Sequence, residues 1–313
     1  MAPIAGETPA PGPDRQGSEM GGRMKTLIEA KHLSLNYGSK AALQDLSFTI
    51  PAGRVVGLLG HNGAGKTTLM KALVGLKRPA GELTVLGRDP HARRNELLTE
   101  LCYIPDVAVL PRWARVSELI TLMSGLQPRF SADRARQLLK RTSVTEQDKV
   151  KHLSKGMVTQ LHLALVAAID AKLMILDEPT LGLDVMSRKS FYEMLIDEWC
   201  DGERSVLIST HQVEEVESLL SDVMMLDEGR LVLNISLEEM DSRFVALSHD
   251  PEAADAVAAG HPLLRYRLQG RHTALFDGAP PETISHLGQR VRPSLVDLFM
   301  ALTRKPEIQG REL

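Results

Sequence analysis

At 313 residues the chain is long enough for one large domain and a smaller one, and its 43% apolar residues can supply a sizeable core. A formal net charge of -3 with 25% charged residues excludes a global basic field of the kind that draws in nucleic acid or an anionic membrane, so no nucleic-acid partner is expected. The two cysteines, Cys102 and Cys200, stand in no metal-ligand or CxxC spacing, which fits buried, inert thiols in a reducing cytoplasm.

Residues 1–23 are rich in Pro, Gly, Glu and Asp, lack the apolar stretch of a signal peptide and precede a second methionine, Met24; they are expected to be a disordered leader. From Leu27 to Ile50 apolar and polar residues alternate, as in LIEAKHLSLNY and ALQDLSFTI, which suits half-buried antiparallel strands. A ProAlaGly turn at 51–53 follows, then a buried strand at Val55–Leu59, a Gly-rich loop and a helix starting near Gly65.

The loop reads GlyHisAsnGlyAlaGlyLysThrThr at 60–68 and matches GxxxxGK[ST] between the strand and helix that this motif requires. Gly60, Asn62, Gly63, Ala64 and Gly65 let backbone N–H groups converge on phosphate oxygens, and the positive end of the next helix favours the same charge. Lys66 can neutralise the β- and γ-phosphates, Thr67 can ligate Mg²⁺, and Thr68 stands within reach of phosphate oxygens. The plainer alternative is a Gly-rich turn with an exposed lysine.

Residues 95–170 lack strong strand signals and carry helical patterns such as VSELITLMSGL and DRARQLLKRT, so a mostly helical insertion is expected. The longest apolar run, Leu163 to Ile169, is far short of the ~20 residues a membrane-spanning helix needs. His162 lies on a helical apolar face and is read as a packing residue.

Short apolar strands at 173–177, 205–209 and 222–227 alternate with helical stretches near 186–200 and 212–220, implying a parallel sheet flanked by helices. LMILDEPT ends a strand in Asp177 and Glu178, at the edge where open α/β sheets hold ligands. Asp177 suits the Mg²⁺ shell, and Glu178, one residue on, can act as general base on an attacking water. His211 follows the strand SVLIST at the same edge, where an imidazole can stabilise charge at a γ-phosphate, although a lone histidine is more often structural. Beyond about Glu239, strand candidates at 243–248, 263–268 and 271–276 and helix candidates at 252–259, 281–287 and 294–303 suggest a small α+β appendage.

These motifs resemble the ATP-binding cassette family of transporter ATPases over about residues 26–235. LeuSerLysGlyMet at 153–157 is similar to the family's signature, LeuGlyLeuAsp at 181–184 to its D-loop, His211 to its switch histidine, and Tyr37 to the aromatic that stacks on adenine. The resemblance implies an α/β fold: a P-loop NTPase (RecA-like) core with an antiparallel β subdomain and a helical subdomain. On that reading the ATPase domain spans 24–240, with its helical part at about 95–170, and the appendage spans 241–313.

It also implies a head-to-tail homodimer or pseudo-symmetric heterodimer, with ATP and Mg²⁺ between one subunit's phosphate loop and the other's signature. Ser154 and Gly156 would contact phosphate from a predicted helix N-terminus, and Asp184 would lie near the two-fold axis. Glu178, His211 and Lys66 would be the catalytic groups, and an integral membrane permease would hold the subunit to the inner face of the plasma membrane. Three departures stand out: Lys155 and Met157 replace the signature's usual glycine and glutamine, Asp106 takes the place of the Q-loop glutamine beside Mg²⁺, and His61 replaces a frequent proline.

Val107, Val109, Leu110 and Trp113 are candidates for a groove that accepts a helix of the permease, or equally for ordinary core. LSKGM, LDEPTLGLD and the terminal SLVDLFMALT favour bacterial subunits with export-type partners. A soluble, non-transport relative acting on ribosomes or DNA is the competing function. The appendage is expected to help dimerise and to cap the sheet.

Overall fold

In the computed structural model, which describes residues 25–105, 110–199, 202–268 and 271–303, the alternating opening segments pair as β1 (Thr26–Tyr37) and β2 (Lys40–Pro51). The 1–23 leader, Asp106, Val107, Val109 and Cys200 lie outside the described residues. Next come β3 (Val55–Leu59), α1 (Lys66–Leu73), β4 (Ala80–Val85), α2 (Arg94–Leu97) and β5 (Leu101–Ile104). Helices α3 (Val116–Leu126), α4 (Ala132–Leu139) and α5 (Lys155–Ala167) precede β6 (Leu173–Asp177), α6 (Val185–Trp199) and β7 (Ser205–Thr210). The chain continues through α7 (Val213–Val216), β8 (Asp222–Asp227), β9 (Arg230–Ser236) and α8 (Leu237–Arg243). It closes with β10 (Phe244–His249), α9 (Ala254–Ala258), β11 (Leu264–Leu268), β12 (Arg271–Asp277), α10 (Glu282–Ser285), β13 (Gly288–Val291) and α11 (Leu295–Thr303).

The central sheet has the order β5-β6-β7-β3-β8-β9, parallel except for β9, and a second antiparallel sheet has the order β2-β1-β4. Side chains alternate across the central sheet as period two requires. Val56, Leu58, Leu173, Ile175, Leu207, Met224 and Leu226 face one core, shared with the antiparallel sheet and α1. Val55, Met174, Leu176, Val206, Ile208, Val223 and Met225 face the other, shared with α3, α5 and α6. Burial on both faces is why these strands read as continuous apolar runs.

Three expectations need correction. The segment 95–170 is not without strand: β5, four residues long, joins the central sheet beside β6. LCYI is too short to establish a period, and its pairing comes from a partner about seventy residues away. The sheet is also not wholly parallel, because β8 and β9 are joined through Glu228 (φ 45) and Gly229 (φ 78). Positive φ at both central residues makes a two-residue hairpin turn, which permits only an antiparallel return. In addition, the stretch 212–220 forms only the four-residue α7 and one 3₁₀ turn.

The appendage strands form a separate sheet of order β11-β12-β10-β13, with β13 and α8 beyond those anticipated. Leu264, Leu275, Leu295 and Leu298 nevertheless belong to the same core as β7 and β8, and α11 packs against α7. Cys102 is buried, and burial pushes its thiol up to about 12, which removes it from thiolate chemistry.

His162 sits on α5 with its Nδ1 buried and without a hydrogen-bond partner among the described residues. Burial pushes the ring down to about 4. The unfolded ring takes a proton near 6.5 while the folded ring resists it, so this contribution to stability is complete above that pH and is lost as pH falls toward 4. Between about pH 7.5 and about pH 5 the wild type is expected to lose ~2 kcal/mol more stability than His162→Leu. Urea unfolding of both proteins at the two pH values measures the difference; equal losses would contradict the assignment.

Candidate ATP site

Parallel pairing in the order β6-β7-β3 brings the C-terminal ends of three strands side by side, each followed by one of the predicted motifs. The loop after β3 wraps the start of α1, whose first amides have no acceptor within the helix. Gly65 takes φ 109, and a Cβ there would stand 2.7 Å from the Ala42 carbonyl oxygen. A Cβ at Gly60 would come as close to the Leu226 carbonyl oxygen. No larger residue fits either position without displacing backbone.

Lys66 is 6% exposed and its Nζ donates to the Gly60 carbonyl at 2.7 Å, so the ammonium is folded over the loop it serves. The same Nζ lies 3.3 Å from Glu178 Oε1. Glu178 Oε2 in turn lies 2.8 Å from His211 Nδ1. The three residues assigned to catalysis therefore form one chain of polar contacts along the edge of the sheet. His61, Asn62, Gly63, Gly65, Lys66, Thr67, Thr68, Glu178, Leu181 and His211 line a cleft of about 270 Å³ here.

Asp177 is fully buried at the end of β6 and does not line the cleft wall. Its Oδ1 accepts from Ser209 Oγ at 2.7 Å, and the same hydroxyl accepts from the Glu178 amide at 2.9 Å. One serine on the intervening strand thus orders both acids. Ser209 was not singled out from the sequence, although a polar residue inside the apolar run SVLIST is the signal that marks it. Glu178 adopts φ 46, a left-handed conformation that costs a non-glycine residue about 1 kcal/mol or more and is typical of functional turns.

His61 is better anchored than a variable loop position suggests. Its Nε2 lies 2.8 Å from Asp227 Oδ1, and its Nδ1 lies 2.8 Å from the Asn62 carbonyl oxygen. The β8–β9 turn also buttresses the loop, with the Gly229 amide donating to the Ala64 carbonyl at 3.0 Å. Tyr37 is exposed at the end of β1, with Lys77 Nζ 5.2 Å from its ring centroid.

Ser154 and Gly156 do not line this cleft. Ser154 caps α5, its Oγ accepting from the Met157 amide at 3.2 Å, while a Cβ on Gly156 would come within 2.5 Å of Ser187 Oγ on α6. Lys155 lies over the loop at 181–184, its Nζ 2.3 Å from where a Cβ of Gly182 would be. Asp184 accepts from the Ser187 hydroxyl at 2.7 Å and from the Ser187 amide at 2.9 Å, and these bonds hold its carboxyl below the usual carboxylate range. Asp184 therefore caps α6 in its own chain, a role its sequence position did not reveal.

The ABC transporter family profile matches residues 43–181. Nod factor export ATP-binding protein I of Sinorhizobium fredii is 34% identical over 311 residues, spanning 91% of this chain and 87% of the relative. The ABC transporter ATP-binding protein YhcH of Bacillus subtilis is 30% identical over 309 residues, spanning 91% and 99%. A solved ATP-binding subunit of an ABC transporter superposes with a TM-score of 0.63 at 28% identity, covering 69% of this chain and 92% of that one. The relatives favour the transport reading over action on ribosomes or DNA. A cleft lined by Lys66, Glu178 and His211, set in sequence similarity of this extent, leads to one conclusion: the chain belongs to the ATP-binding subunits of ABC transporters, and it binds and hydrolyses ATP to drive transport.

Proposed function

We propose that two copies of this subunit, or this subunit and a close homologue, pair head to tail and hold ATP between the cleft of one and Ser154 and Gly156 of the other. The observation that carries the reading is the division of the machinery: Lys66, Glu178 and His211 converge on one cleft while the signature residues cap a helix outside it. Half a site in each subunit calls for a partner to complete it. Mg²⁺, when bound, would be held by the Thr67 hydroxyl and the Asp177 carboxylate, hard oxygen donors that suit it, and would offset phosphate charge. Asp106 is a further candidate for its outer shell.

Within the cleft Glu178 takes the proton of the attacking water, Lys66 turns from Gly60 and Glu178 to phosphate, and His211 orients the base and stabilises charge on the phosphoryl group. Tyr37 offers an aromatic face for adenine.

Among the described residues no helix is long and apolar enough to cross a membrane. We infer that a separate permease supplies the pathway, with this subunit held on the cytoplasmic face of the plasma membrane. Trp113, 73% exposed beside Arg112, Lys149 and Lys151, offers an anchor for a permease helix, while Leu110 packs against the core. The names of the relatives support export as the direction. Affinity purification of the tagged subunit from native membranes is expected to recover an integral membrane protein with several spans; recovery of ribosomes in its place would reverse the reading.

A further inference from the structure

Behind the cleft lies a second set of side chains to which the catalytic assignment gives no role. Arg188 projects from the first turn of α6, immediately after the 181–184 loop, and its side chain is 18% exposed. Its Nη1 donates to Gln212 Oε1 at 2.7 Å and to Glu215 Oε1 at 2.5 Å. Gln212 directly follows His211, and Glu215 lies on α7. One turn further along α6, the Tyr192 hydroxyl lies 3.1 Å from Thr180 Oγ1, two residues past Glu178. Burial pushes that phenol up to about 12, keeping it a neutral hydrogen-bonding group. Helix α6 thus grips the side chain of Thr180, just after Glu178, through Tyr192, and the side chains of Gln212 and Glu215, just after His211, through Arg188.

The second link has more to hold in place. After β7 the chain forms a bend and then the four-residue α7, and an isolated turn of helix is unstable in water without tertiary contacts. The Gln212 amide is fixed to Thr210 Oγ1 at 2.9 Å, and the Gln212 side chain is fixed by Arg188. His211 itself is substantially exposed, with Glu178 as its one side-chain hydrogen-bond partner among the described residues. Its ring position therefore depends on how the flanking backbone is held.

We propose that Arg188 is a positioning residue for hydrolysis: it ties the segment after His211 to the first turn of α6, and so transmits displacement of the 181–184 loop to the Glu178–His211 pair. The inference rests on the catalytic roles proposed for those two residues. A second subunit pressing on the loop would shift the Arg188 guanidinium, and with it residues 212–215.

The test uses the full chain with Mg-ATP. Arg188→Met is expected to lower kcat about tenfold with KM for ATP within about twofold, and to add no further loss in a His211→Ala background, because it acts through that residue. Arg188→Lys, which keeps one charged donor, should recover part of the rate. Wild-type kcat in Arg188→Met, or an undiminished tenfold loss in the His211→Ala background, would overturn the proposal. Should Arg188→Met fail to fold, Gln212→Ala decides: a reduced kcat supports the tether and an unchanged kcat removes it. Glu178→Gln measured alongside separates the two readings, since full turnover there defeats the catalytic assignment, whereas loss there with wild-type Arg188→Met defeats the tether alone.

Discussion

Glu178→Gln is expected to reduce steady-state ATP turnover by about 10²–10⁴-fold, the range that removal of a general base produces, while ATP affinity stays close to wild type. The substitution keeps the shape of the side chain and an oxygen and a nitrogen with which to meet His211 and Lys66. It takes away the negative charge and the basicity needed to accept a proton from water. The backbone at 178 is fixed independently of the side chain by the Ser209 carbonyl and hydroxyl, so the cleft should keep its form. Single-turnover and steady-state phosphate release, with nucleotide titration of the same protein, separate lost chemistry from lost binding. Unchanged turnover would remove Glu178 from the mechanism.

Lys66→Ala is expected to act on binding itself, lowering ATP affinity by roughly 10–100-fold. A charge-assisted hydrogen bond contributes about 1.5–3 kcal/mol, and each 1.4 kcal/mol is a factor of ten. Two further changes accompany the loss of the ammonium: the Gly60 carbonyl loses its side-chain donor and Glu178 loses a cation at 3.3 Å. A carboxylate left uncompensated beside incoming phosphate adds repulsion, so the effect on affinity should exceed that of any neutral substitution in the loop. Calorimetric titration with ATP measures it, and wild-type affinity would contradict the role given to the loop.

The contrast between these two residues shows what the sequence made legible. GlyHisAsnGlyAlaGlyLysThrThr and LMILDEPT each carry a strand, an edge and a charge within a few residues, and their chemistry could be read locally. Parallel pairing then places them together, because equivalent ends of parallel strands share an edge. What sequence reading missed depends on distant partners. β5 is four residues long and is defined by β6, and Ser209 matters because it lies between two acids on a neighbouring strand. Arg188 in α6 is an ordinary helical arginine until the fold places residues 212 and 215 against it. β9 is different: its apolar Leu231, Leu233 and Ile235, following a Glu-Gly turn, are a local hairpin signal. His61 and Asp227, too far apart in sequence to suggest a pair, meet because β8 pairs parallel with β3 and ends at the same edge of the sheet.

Sedimentation of the Glu178→Gln protein with and without saturating Mg-ATP tests the account most directly. With the base removed, nucleotide joining two subunits should persist: the account predicts a monomer without nucleotide and a dimer with it, retaining two ATP per dimer. A protein that binds ATP with wild-type affinity yet stays monomeric at every concentration would contradict the account.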